Sequence, residues 1–197
     1  MAPFLFFNLA VFFTGAVPSA YLAGRFFKKI DIRAHGSGNV GATNAFRVLG
    51  KKIGALVFAA DFLKGLLPVF LAGRVLHFPV APEVSVVTAG SAAILGHIFN
   101  PFLGFKGGKG VATGAGVLCA ISPLLFLITA GSWAAVFLST RMVSVSSLLS
   151  LVSLIFFSVF FRSRPIFIGF FCVISILVLW AHRSNLSRIF ESKENKL

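Results

Sequence analysis

VATGAGVLCAISPLLFLITAGSWAAVFL, residues 111–138, is a mostly apolar run of 28 residues with Ser122 and Pro123 near its middle. Proline has no N–H to donate and its ring clashes with the preceding turn, so a helix through this stretch breaks or kinks there. The run crosses a bilayer once as a single long span, or twice as two shorter helices broken near Pro123. That choice fixes the side of the membrane on which every later loop lies.

Working outward, Phe4 to Gly24 is 21 residues. At about 1.5 Å per residue it is long enough for a hydrocarbon core of about 30 Å. Ile53 to Leu76, Val84 to Phe102, Val143 to Phe161 and Pro165 to Ala181 supply further spans. One crossing at 111–138 gives six spans and puts Arg141 outside with the C-terminal Arg183, Arg188, Lys193 and Lys196. Two crossings give seven and leave 14 of the 18 Lys and Arg inside, with Arg74, Arg162 and Arg164 outside and Lys64 within a span. The positive-inside rule favours seven. The N-terminus is then outside and the C-terminus cytoplasmic. Each half of the broken run is short, so its helices are buried among others or thinner than the bilayer. Met1 to Ala23 lacks the positive leader of a secretory signal, and its cations follow it as Arg25, Lys28 and Lys29, the order of a retained first span.

The composition supports an all-α, polytopic membrane bundle. Hydrophobic residues make up 57% of the chain and charged ones only 12%, at a mean hydropathy of +0.96. Soluble domains carry about 25% charged residues, and one small core could not hide so much apolar surface. The net charge of +13 is gathered into short stretches between apolar runs, which favours anionic partners such as phosphate groups or lipid headgroups. Basic surface rich in aromatics is absent outside the spans, which argues against nucleic acid. Cys119 and Cys172 both lie in apolar segments and read as small core residues. No His or Cys spacing suggests a metal, and no cofactor is expected. Without an internal repeat or linker, residues 1–197 read as one domain ending in a polar tail, 191–197, expected to fray.

Two basic loops carry the candidate chemistry. In the first, Gly36, Gly38 and Gly41 satisfy G-x-G-x-x-G, yet a membrane span stands where a dinucleotide fold needs a strand. Glycines still let backbone N–H groups approach an anion closely, and Ser37, Thr43 and Asn44 add neutral donors. Arg47 can grip a phosphate bidentately. A loop whose glycines served only to turn would not need so many donors. The second loop places Lys106, Gly107, Gly108 and Lys109 just before a helix start at Val111. Gly110 stands where a Walker A loop needs Ser or Thr, so nucleotide hydrolysis is disfavoured. Lysines snorkelling at a membrane edge would not need these glycines. A third element, His182-Arg183-Ser184-Asn185, puts His182 and Asn185 at i and i+3 on one helix face. Asp61 and Lys64, also at i and i+3 but inside a span, read as a structural pair. None of the four histidines has an Asp five positions on, which excludes the His-x-x-x-x-Asp acyltransferases, and paired-carboxylate hydrolysis has no support.

Taken in order, Ser37-Gly38-Asn39-Val40-Gly41-Ala42-Thr43-Asn44, with Arg47 and Gly50 following, then Gly96-His97 leading to Gly104-Phe105-Lys106-Gly107-Gly108-Lys109-Gly110-Val111-Ala112-Thr113, and finally His182-Arg183-Ser184-Asn185, closely resemble the bacterial acyl-phosphate-dependent glycerol-3-phosphate acyltransferases. Asp61-Phe62-Leu63-Lys64-Gly65 is similar to the family pattern as well. The resemblance implies a seven-helix enzyme of the bacterial inner membrane with its site on the cytoplasmic side, active as a monomer. Such an enzyme moves a fatty acyl group from acyl phosphate to the 1-hydroxyl of glycerol 3-phosphate. It also implies that Ser37, Gly38, Thr43, Gly107, Gly108 and Ser147 line the acyl-phosphate pocket. Arg47, Lys109, His182 and Asn185 would hold glycerol 3-phosphate, with Ser37, Arg47, Lys109, His182 and Asn185 forming the catalytic set. Asn39, Asn44 and Lys106 are read as further substrate-binding residues. The family pattern is least well matched around Ser144-Val145-Ser146-Ser147. The rival from another class is a transporter for a phosphorylated small anion, since glycine-broken segments and buried charge can also line a path. Its matched halves are not found.

Overall fold

The computed structural model describes all 197 residues, and the chain is helical throughout, without strands. Four helices are long and apolar enough to cross a membrane, or six if each of two bent pairs is one span. The chain forms two compact units, Met1–Ile121 and Ser122–Leu197.

The first unit holds α1 (Ala2–Gly15), α2 (Ser19–Ala23), α3 (Ala42–Val48), α4 (Lys51–Arg74), α5 (Pro82–Ile98) and α6 (Val111–Ile121). The expected single span Phe4–Gly24 is in fact broken: α1 ends at Gly15, α2 begins after Pro18 and continues as a π turn over Gly24–Lys28, and the two parts meet at 42°. Pro18 is the cause, because it cannot donate to the turn before it. The break exposes carbonyls that must be satisfied in a membrane. Asn100 Nδ2 donates to the Ala16 carbonyl, and Lys64 Nζ donates to that of Val17 at 3.0 Å. Lys64 also pairs with Asp61 at 2.8 Å, and the same Asp61 oxygen accepts from Ser19 Oγ at 2.9 Å. The structural pairing expected for Asp61 and Lys64 is thus observed, and its work is to hold the broken span together.

Small residues bring these helices close, as is usual between membrane helices. A Cβ on Gly116 of α6 would land on the Phe62 carbonyl of α4, and one on Gly65 would land on the Thr113 carbonyl. Between α1 and α5, Gly15 lies against the Ala93 backbone and Gly96 against the Phe12 carbonyl. Arg74 donates to the Ala120 carbonyl at 3.2 Å, satisfying the end of α6.

The second unit holds α7 (Pro123–Thr140), α8 (Val143–Phe160), α9 (Pro165–Ala181) and α10 (Arg183–Phe190). Residues 111–138 are two helices, broken at Ser122 as Pro123 requires, and the Ser122 hydroxyl caps α7 by accepting from Leu125 N–H at 3.3 Å. On α8, Val152, Phe156, Val159 and Phe160 are exposed, while Ser144, Ser147, Ser150 and Leu154 are buried. Trp133 of α7 donates to Ser147 Oγ at 3.2 Å. The chain bends by 60° between α9 and α10, at His182.

Candidate active site

Loop 1 is built around Asn44. This side chain is fully buried, its Oδ1 accepts from Ser37 N–H at 2.9 Å, and its Nδ2 donates to the carbonyls of His35 at 3.0 Å and Ile32 at 3.3 Å. The amide therefore frames the loop from within. Gly36 and Gly38 sit at φ +60° and +72°, in the left-handed region, and a Cβ on Gly36 would collide with the Asn44 side chain. That frame leaves Ser37 exposed and Gly38, Asn39, Thr43 and Arg47 half-buried at the loop's surface, with Arg47 on the last turn of α3.

Loop 2 runs back along the end of α5. Gly107 N–H donates to the Ile98 carbonyl at 3.0 Å and Gly108 N–H to that of His97 at 3.1 Å. These bonds give the two glycines a structural part as well. Their amides are spent on the carbonyls that α5 leaves unsatisfied. Their missing side chains admit His97, whose carbonyl a Cβ on Gly107 would strike and whose ring a Cβ on Gly108 would strike. His97 Nδ1 in turn lies 3.9 Å from Asp61, so loop 2 rests on the same polar network that holds the broken first span. Gly110, at φ +81°, then releases the chain into α6. Lys106 is exposed and Lys109 half-buried on either side of the glycine pair. In the first turn of α6 the Thr113 hydroxyl is fully buried with no hydrogen-bond partner.

One apolar cluster joins the two loops. Leu103 of loop 2 is buried with Ile32, Val40, Ala45 and Leu49 from loop 1 and its flanks, and with Val57 of α4. Both loops therefore lie on one floor, at one end of the first unit.

In the second unit, His182 and Asn185 are buried at the α9–α10 bend. His182 Nδ1 lies 2.8 Å from the Val178 carbonyl. A carbonyl oxygen can only accept, so Nδ1 carries a proton and donates it to that bond. Asn185 Nδ2 donates at 2.7 Å to Glu194, which also takes Ser144 Oγ at 3.0 Å and Arg188 Nε at 2.9 Å. The tail expected to fray is thus pinned through this carboxylate. Ser144 is the α8 hydroxyl beside Asn185. Ser147, one turn further on, donates to the Val143 carbonyl at 2.8 Å and accepts from Trp133. The sequence pattern alone does not single out Arg188 or Glu194, which the fold brings to Asn185 and Ser144.

Residues 5–192 match the sequence profile of the family described as glycerol-3-phosphate acyltransferase. The chain belongs to that family. Relatives named glycerol-3-phosphate acyltransferase include one from Bacillus velezensis, 43% identical over 93% of this chain and 92% of its own. Another, from Bacillus subtilis strain 168, is 40% identical over 96% and 95%. Among solved structures, the glycerol 3-phosphate form of PlsY, an integral membrane glycerol 3-phosphate acyltransferase, superposes with a TM-score of 0.92 at 37% identity, covering 99% of this chain and 96% of that one. The lysophosphatidic acid form of the same enzyme gives 0.88 at 37% identity. The family's matched stretch spans both compact units and all three candidate elements, and it ends before the last five residues.

Proposed function

We propose that this family member transfers a fatty acyl group from acyl phosphate to the 1-hydroxyl of glycerol 3-phosphate. The hydroxyl oxygen attacks the acyl carbonyl carbon, the bond from that carbon to the phosphate oxygen breaks, and the hydroxyl proton passes to a phosphate oxygen. The products are lysophosphatidic acid and inorganic phosphate. Neither a metal nor a cofactor enters the scheme.

The observation that carries this reading is the shared apolar floor beneath loops 1 and 2. Two phosphorylated substrates repel one another by roughly 4 kcal/mol per pair of unit charges at 4 Å and an effective dielectric of 20. Two cationic loops side by side offset that repulsion. In this scheme Ser37, Gly38, Thr43, Gly107, Gly108 and Ser147 surround acyl phosphate, with Thr113 as a further donor. Arg47, Lys109, His182 and Asn185 hold glycerol 3-phosphate, assisted by Asn39 and Lys106, while Asn44 acts through the loop it frames. Preorganised charge and orientation supply the rate, and the acyl phosphate itself takes the proton.

The topology that goes with this reading has seven crossings, an outside N-terminus and a cytoplasmic C-terminus in a bacterial inner membrane. The chain acts as one domain and as a monomer, with the acyl chain in lipid and the loops in the cytosol. Purified protein in proteoliposomes supplies the test. Labelled glycerol 3-phosphate is expected to become lipid only when acyl phosphate is added. Label that crosses unmodified would sink the proposal and support the transporter.

A further inference from the structure

The bent first span delivers the chain into a short basic knuckle just before loop 1. The π turn Gly24–Lys28 ends on Lys29, which takes the left-handed conformation at φ 57°. π turns are rare and a left-handed lysine is uncommon, so local propensity does not account for this shape. Every residue from Arg25 to Lys29 is exposed. Two of them are aromatic: Phe26 keeps 73% of its surface and Phe27 52%, and their rings meet edge to face at 5.1 Å. Lys29 Nζ stands 6.0 Å from the centre of the Phe26 ring.

The cations around this knuckle fall into two groups. Arg25 and Arg33 are spent within the protein: both pair with Asp31, at 3.3 and 2.7 Å, and both lie over the Tyr21 ring. No carboxylate pairs with Lys28 or Lys29. The positive-inside rule asks only that cations follow a span, and it does not ask for an exposed pair of rings beside them. Rings of this kind favour the boundary between headgroups and chains, where an ammonium on a flexible stem can reach an anionic headgroup.

We infer that the knuckle is a binding site for an anionic phospholipid of the bilayer: Lys28 and Lys29 take the headgroup phosphate, and Phe26 and Phe27 lie against the first carbons of the chains. A free anion is a poorer fit. Lysines this exposed hold a lone ion weakly in water, and the two rings contribute nothing to it. An occupied site ties the turn, and loop 1 directly after it, to the level of the headgroups.

The test titrates the full-length protein in a neutral detergent with phosphatidylglycerol and follows the melting temperature, which rises as a site on the folded state fills. Phosphatidylcholine is the comparison with no net headgroup charge. Wild type is expected to be stabilised by phosphatidylglycerol alone, and the response to weaken as salt is raised. Equal responses to the two lipids, or a response indifferent to salt, overturn the inference without recourse to any variant. A cation beside an anionic lipid is worth about fivefold in affinity, so Lys28→Gln/Lys29→Gln is expected to raise the half-saturating lipid concentration about thirtyfold. Lys51→Gln/Lys52→Gln removes an exposed lysine pair with no phenylalanine within three residues, and is expected to titrate like wild type. Were it to lose as much as the knuckle variant, the effect would belong to charge at large and the site would fall. Inorganic phosphate at the same concentration is expected not to displace the lipid; displacement would reduce the knuckle to an ion site and overturn the inference. In proteoliposomes the KM for acyl phosphate is expected to be the same for wild type and Lys28→Gln/Lys29→Gln. A rise would make the knuckle an entry point for that substrate and overturn its assignment to a bilayer lipid.

Discussion

Loop 2 and the α9–α10 corner treat their polar groups in opposite ways. In loop 2 the glycine amides are consumed by carbonyls at the end of α5, so the motif's most regular feature builds the frame. At the corner it is side chains that converge, Ser144, Asn185 and Arg188 together on one carboxylate. The contrast separates residues that shape a site from residues placed to meet a substrate. Frame residues are expected to govern stability, and residues that meet substrate to govern affinity.

The largest effect is expected at the deepest part of the frame. Asp61→Ala leaves the Lys64 ammonium without its carboxylate beside the break in the first span, where their side chains are 2% and 9% exposed. Removing one partner of such a pair costs about 3–5 kcal/mol. Thermal unfolding in detergent is expected to show that loss, and the double variant Asp61→Ala/Lys64→Met is expected to recover part of it. If Asp61→Ala melts like wild type, the network does not hold the break.

Next is the glycine pair. Gly108→Ala drives a methyl group into the His97 ring, whereas Gly131→Ala on α7 meets nothing within 4 Å. Overpacking of this kind costs about 1–3 kcal/mol. Gly108→Ala is expected to lose both stability and activity, and Gly131→Ala neither. Equal melting temperatures for the two would leave Gly108 no part in the frame.

Loop 1 allows the two classes to be compared within a few residues. Asn44→Ala removes three hydrogen bonds at about 1 kcal/mol each and lowers melting temperature together with kcat/KM. Arg47→Ala is expected to raise the KM for glycerol 3-phosphate at least about tenfold, as loss of a charge-assisted contact would, with the melting temperature held within a degree or two. Loss of expression of Arg47→Ala would move it into the frame.

These pairs also show what could be read from sequence. Pro123 announced its helix break because proline acts locally. Pro18 is the same residue type, but it was absorbed into a 21-residue apolar span because its compensation is remote: Lys64 is 47 positions from Val17, and Asn100 is 84 from Ala16. The glycine loops were legible as loops. Their contact with His97 was not, because spacing alone does not bring loop 2 back along α5. Asn44 reads as one donor among several until three backbone partners surround it. Glu194 sat in a segment whose polar composition promises fraying, and only the fold brings it to Asn185 and Ser144.

The smallest effect is expected at Asp31, a carboxylate at the water-facing edge of loop 1. The side-chain hydrogen bond from Arg33 holds its pKa down to about 2, with the Arg33 amide and the charge of Arg25 assisting. A carboxyl whose folded pKa is depressed stabilises above its ordinary value of 3.8 and loses that contribution as pH falls through about 2. Its arginine partners are 51% and 45% exposed, so water and salt screen the pair. Asp31→Asn is therefore expected to leave activity and melting temperature at neutral pH unchanged in ordinary salt. Any difference from wild type is expected only at low ionic strength and to vanish between pH 4 and 2. Asp31 and Asp61 both accept from more than one donor, and what distinguishes them is burial. Were Asp31→Asn to destabilise as much as Asp61→Ala, counting hydrogen bonds would predict stability better than burial does, and the line drawn between frame and surface would have to be redrawn.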